Sequence, residues 1–154
     1  MVRNASASLE VLADPGQLSV ALSPLRRNLL SELGHEPDSA AGLARKLGLP
    51  RQKLNYHLRE LERAGFVELF EERQRRGCVE RTLRVSARAF VIDPALLGSH
   101  AADPAAIQDK FSTSFQLASL AQALRDLVVL QQGATKARKS LPTLTLATEV
   151  AFAE

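Results

Sequence analysis

Between residues 39 and 65 the apolar positions recur at helical spacing. Leu43 and Leu47 lie four residues apart, and Leu54, Leu58 and Leu61 repeat on one side of a second helix. Ser39 is suited to cap the first helix, because its hydroxyl can accept a hydrogen bond from an unpaired amide at the helix start. Gly48 can take the left-handed conformation that ends it, and Pro50 suits the first turn of the next helix. Gly65 closes the pair. Helix, glycine turn and helix make a helix-turn-helix unit.

The same pattern, followed along the rest of the chain, predicts the other elements. Leu9, Val11 and Leu12 suggest a short extended piece, and Asp14-Pro15 starts a helix over Gly16–Leu22. Leu25, Leu29, Leu30 and Leu33 make a further helix closed by Gly34, with Arg26 and Arg27 on its exposed side, either touching phosphate or solvated. Residues 35–38 read as a loop. Phe66–Phe70 begins a strand, Glu71–Gly77 (EERQRRG) reads as a polar basic turn, and Cys78–Ser86 alternates like a returning strand. Ala87–Ile92 suggests a third short strand, and Leu97–Ala102 a linker. From Asp103-Pro104 to about Gln132 the pattern is helical again, roughly 28 residues or about 40 Å. Its stripe contains Phe111, Phe115, Ala118 and Leu124. Residues of about 143–152 alternate like a strand, which either pairs with an earlier strand, pairs with a partner subunit, or belongs to a chain that continues further. The expected fold is mainly α with a small β-hairpin wing, followed by a long C-terminal helix and a terminal strand. The expected division is residues 1–92 and 93–154.

Charge sharpens this picture. The formal net charge is only +3, but 14 of the 20 Lys and Arg residues lie between Arg26 and Arg88, against 9 of the 17 Asp and Glu, a local balance of +5. The helix-turn-helix region is therefore the part suited to a polyanion. On its second helix, at roughly 100° per residue, Gln52, Tyr56, Arg59 and Arg63 fall opposite the leucines, flanked by Arg51 and Asn55. Gln and Asn can grip adenine edges and Arg guanine, and a recognition helix enters the major groove by its N-terminal end. Arg73, Arg75 and Arg76 crowd the hairpin tip, where like charges repel unless something negative, such as a DNA phosphate or the minor groove, lies nearby.

Other chemistry finds little support. A single Cys, Cys78, gives no disulfide framework. His35, His57 and His100 are far apart and lack spaced ligand partners, so neither a metal nor another cofactor is expected. His57 reads as a packing residue, and Cys78 as an incidental strand residue beside a basic turn. Phosphate-binding glycine loops, GxSxG and HExxH are all missing, which argues against an enzyme. No apolar run approaches about 18 residues, so a soluble, cytoplasmic protein with no membrane partner is expected.

Over about residues 22–92 the chain resembles the ArsR-type winged-helix transcriptional regulators of bacteria. The carriers are LSPLRRNLLSEL, then SAAGLARKLGLPRQKLNYHLRELERAGFVE, and the hairpin through Arg84. The resemblance implies a homodimer that binds double-stranded DNA at an imperfect inverted repeat, usually as a repressor. It implies base-reading by Arg51, Gln52, Asn55 and Tyr56 and phosphate contacts from the wing; Arg59 and Ser39 complete the expected DNA-facing set. The Cys-containing motif of metal-sensing members is replaced by AAGLARKL. The long helix, with Phe111, Phe115, Ala118 and Leu124, is expected to hold the dimer interface, and it could line a cavity for a small apolar effector. The competing reading is a winged helix used for protein–protein interaction without specific DNA binding.

Overall fold

The computed structural model describes residues 9–75 and 77–144, with the side chains of Arg75 and Cys78 left aside. The chain divides into two units, Met1–Ser99 and His100–Glu154. In the first unit the order is β1 (Glu10–Leu12), α1 (Pro15–Ala21), α2 (Pro24–His35), β2 (Asp38–Ser39), α3 (Ala40–Leu47), α4 (Arg51–Arg63), β3 (Val67–Arg75), β4 (Cys78–Val85) and β5 (Phe90–Ile92).

Local chemistry sets the helix boundaries. The Asp14 side chain accepts from the Gly16 amide at the start of α1, and Ser39 Oγ accepts from the Gly42 amide at the start of α3. Gly48 ends α3 at φ 63°, in the left-handed region. Pro50 caps α4 from outside rather than sitting in its first turn. At the far end of α4 the Phe66 amide donates to the Leu61 carbonyl (2.9 Å) and the Gly65 amide to that of Glu62 (3.1 Å). With Gly65 at φ 82° this is a Schellman termination. Gly34, expected to close its helix, instead lies inside α2, which runs one residue further to His35 because nothing there demands a left-handed residue.

The core is the set the periodicity selects. Leu29, Leu33, Leu43, Leu54, Leu61 and Phe66 are its largest fully buried side chains. Each contributes on the order of 1.5–3 kcal/mol by leaving water. Helices α1 and α2 pack on α4, and α3 packs on α4.

Three strands form the wing sheet in the order β2-β4-β3. β2, expected as loop, pairs Asp38 with Leu83 and Ser39 with Thr82. Two residues with no apolar alternation of their own could not announce it. The expected turn over Glu71–Gly77 is mostly strand. Glu71 to Arg75 pair with Thr82 to Cys78 after a bulge between Leu69 and Glu71. Opposite charges face each other across this ladder, Glu72 against Arg81 and Arg73 against Glu80, so a stretch too polar to look like strand is held as one. β5 pairs in parallel with β1, Val91 against Val11, an association of sequence-distant segments.

The second unit begins with a 3-10 turn at Pro104–Ala106 and continues as α5 (Thr113–Lys136). Asp103-Pro104 therefore starts one short turn and not the long helix. Ser112 is the true cap, its Oγ accepting from the Phe115 amide at 3.2 Å. Gly133, expected as the stop, is internal to α5. The helix has 24 residues and spans about 36 Å. The strand expected over about 143–152 lies outside the described residues from residue 145 onward.

Candidate nucleic-acid interface

Helix α4 has one apolar and one polar side, and the fold uses them as the sequence suggests. Leu54, Leu58 and Leu61 are 0–3% exposed. Arg51, Gln52, Tyr56 and Arg59 are exposed and Asn55 is half-buried. These five occupy adjacent positions over the first two and a half turns, so their side chains leave the helix along one strip. Arg51, Gln52, Asn55 and Arg59 make no side-chain hydrogen bond or ion pair with the described residues. The Tyr56 ring is 58% exposed and meets the His57 ring edge-on at 5.2 Å. No acidic residue occupies the first turn and no side chain caps it. The amides and partial positive charge of the helix start are thus left to an outside anion.

Ser39 is placed elsewhere than expected. It is 7% exposed, and its hydroxyl accepts from Gly42 and donates to Glu80 Oε1 at 2.8 Å. Both functions of the hydroxyl are used inside the fold, joining α3 to β4, so Ser39 belongs to the scaffold.

Of the three arginines expected at the wing tip, Arg73 is the one whose side chain is described. Arg73 is exposed but paired with Glu71 at 2.8 Å. Arg81 reaches from β4 to Glu62 on α4 (2.7 Å) and to Glu72 on β3 (3.2 Å), and Arg84 pairs with Glu68 at 2.7 Å while lying over the Phe70 ring. Donating hydrogen bonds to Glu71 and Glu62 raises the pKa of the Arg73 and Arg81 guanidiniums, respectively. At Arg73, therefore, the hairpin's own Glu71 supplies the negative charge that the sequence alone assigned to DNA. Arg75 stands at the end of β3, and Arg76 lies outside the described residues.

Several basic residues sort themselves only in three dimensions. Arg45 at the end of α3 and Lys53 on α4 are exposed and, among the described residues, unpaired, which makes them phosphate candidates the sequence reading passed over. Lys46, by contrast, is tied to Glu36 (2.6 Å) and Asp38 (3.0 Å), which raise its pKa above the usual lysine range. Arg27 is exposed, while Arg26 folds inward, Nη1 donating to the Val20 carbonyl at 3.3 Å. Arg26 Nε and His57 Nδ1 are both buried without a partner. Burial, then the nearby charges of Arg26 and Lys53, push the His57 pKa down.

The residues expected to line an effector cavity are not gathered on one face. Phe111 precedes α5 and is 97% exposed. Phe115 is half-buried beneath the Lys110 ammonium, 4.8 Å from the ring centre, Ala118 is buried and Leu124 half-buried. Among the described residues no group of three His, Cys, Asp or Glu could hold a metal ion. No helix there is long and apolar enough to cross a membrane.

Residues 21–69 match the family model of a helix-turn-helix domain. No curated protein matches the chain. A solved structure from Mycobacterium bovis, the homodimeric winged helix-turn-helix DNA-binding domain of a possible ArsR-family transcriptional regulator, is similar at 14% identity. The likeness covers 82% of this chain and 88% of that one, at a TM-score of 0.36. The family match falls on α2, α3, α4 and the start of β3, and β3 and β4 add the hairpin. Residues 21–69 thus match a helix-turn-helix domain, and with the β3–β4 hairpin the chain shows the winged helix-turn-helix arrangement.

Proposed function

We propose that the protein is a transcriptional regulator of the ArsR type that acts in the cytoplasm as a homodimer on an inverted-repeat operator, usually to repress. The observation that supports this reading is the strip Arg51, Gln52, Asn55, Tyr56 and Arg59, which leaves α4 toward solvent and makes no side-chain hydrogen bond or ion pair with the described residues. Gln52 and Asn55 suit adenine edges, Arg51 and Arg59 suit guanine or phosphate, and the Tyr56 ring suits a thymine methyl or the sugar edge. Lys53 on α4 and Arg45 on α3, with Arg75 and Arg76 of the hairpin, would supply phosphate contacts that fix register. Two copies would set two such helices about 34–36 Å apart, one turn of DNA. The exposed Leu117, Leu120 and Leu127 of α5 support a dimer built through that helix.

The test is an equilibrium titration of duplex DNA over a range of salt concentrations. A regulator of this kind gives a linear fall of log affinity with log salt, about 0.9 per phosphate contacted. A winged helix used only for protein contacts gives no steep salt dependence, and that result would overturn the proposal.

A further inference from the structure

A cleft of about 820 Å³ opens on the first unit, between the C-terminal half of α2, the end of β4 and the segment leading to β5. The volume falls within the range of small-molecule sites. Its floor is apolar: Leu30, Val85 and Phe90 are half-buried there, and Phe90 is fixed edge-on against Phe66 at 5.0 Å. Its rim is cationic. Arg27 and Arg88 are exposed and make no ion pair with the described residues, whereas Arg84 is already engaged by Glu68. The acid on the rim, Glu36, pairs with Lys46, an ammonium it shares with Asp38.

Gly34 adds a second observation. It lies inside α2 with no left-handed backbone to justify it, and an added Cβ would meet nothing within 4 Å. Gly34 is the penultimate residue of α2, and neither backbone geometry nor protein packing requires glycine there. The residue lines the cleft, and the space an added Cβ would take is open.

We infer that this cleft binds a small monocarboxylate with an apolar body. The body would lie over Leu30, Val85 and Phe90, and the carboxylate would pair with Arg27 and Arg88 in the charge-assisted geometry guanidinium groups favour. None of its lining residues belongs to the strip Arg51, Gln52, Asn55, Tyr56 and Arg59 on α4. Binding is readable without DNA, so its failure and that of the regulator reading are distinguishable.

The experiment is titration of the isotope-labelled full chain with octanoate and with phenylacetate, followed by amide NMR, with octanol and inorganic phosphate as controls. At least one acid should move the Ser31, Gly34, Ala87 and Ala89 amides saturably below about 10 mM, at least about tenfold tighter than either control. Arg27→Gln combined with Arg88→Gln should weaken that binding by about tenfold or more, and Gly34→Leu should block it, each variant keeping the wild-type circular dichroism. Absence of saturable shifts with both acids overturns the inference. So does equal binding of octanol, or binding that survives Gly34→Leu in a folded protein.

Discussion

At Gly65 the backbone stands at φ 82°, and the nearest atom to an added Cβ is Gln17 Nε2 at 3.8 Å. Gly65→Ala therefore costs through conformation rather than collision, about 1–2 kcal/mol, checked by urea unfolding. Position alone made this glycine and Gly48 legible, since each follows a helical leucine repeat. His57 needed coordinates. Its folded-state pKa is lowered, chiefly by burial and then by Arg26 and Lys53, with Glu60 opposing. Below the unfolded histidine pKa of about 6.5 the unfolded chain takes up a proton that the folded chain resists. His57 thus adds a loss of stability as pH falls from about 6.5 toward the lower folded value, and none above that window. His57→Gln should flatten this part of the profile in urea unfolding at pH 7.5 and 5.5, and an unchanged difference between the two pH values would contradict the assignment. The hydroxyl of Ser39 shows both sides of the matter: its cap to Gly42 follows from spacing, but its bond to Glu80 joins residues 41 apart, beyond any local pattern.

Helix α4 and the wing are bridged by Arg81, which spans Glu62 on α4 and Glu72 on β3. These groups are partly solvated, so Arg81→Gln should change global stability by no more than about 1 kcal/mol. It should nevertheless speed amide exchange across β3 and β4, because local opening of the hairpin no longer breaks a bridge to the helix. Unchanged exchange would show that the ladder alone fixes the wing. Among the wing arginines, Arg73 is already compensated by Glu71, so Arg73→Gln should alter the salt slope of DNA binding less than Arg75→Gln combined with Arg76→Gln, for which the slope falls by up to about 2. The helices were legible because a 3.6-residue repeat of leucines is a strong local signal bounded by caps. The hairpin was half legible. Its apolar halves alternate, but the middle of β3 is held by cross-strand charge pairs that look like a turn when read along one strand. The start of α5 was misjudged for a similar reason. Asp103-Pro104 is a good cap and first turn, and the competing cap at Ser112 is decided by the hydrogen bonds that Asp109 and Ser112 make.

For the whole molecule, Leu117, Leu120 and Leu127 form an exposed apolar stripe on α5, the kind of surface that suits an interface. Under the proposed dimer, Leu120→Glu should shift sedimentation equilibrium toward monomer and weaken duplex binding with it, since two recognition helices bind one operator more tightly than one. A variant that stays dimeric would move the interface elsewhere. The central claim concerns α4 as a reader of sequence, and selection of bound duplexes from a random pool tests it most directly. The account predicts enrichment of an inverted repeat with half-sites about one helical turn apart. It also predicts loss of preference at particular positions, without uniform weakening, when selection is repeated with Gln52→Ala and Asn55→Ala. A pool that remains random after selection, or the same motif recovered with both variants, would contradict it.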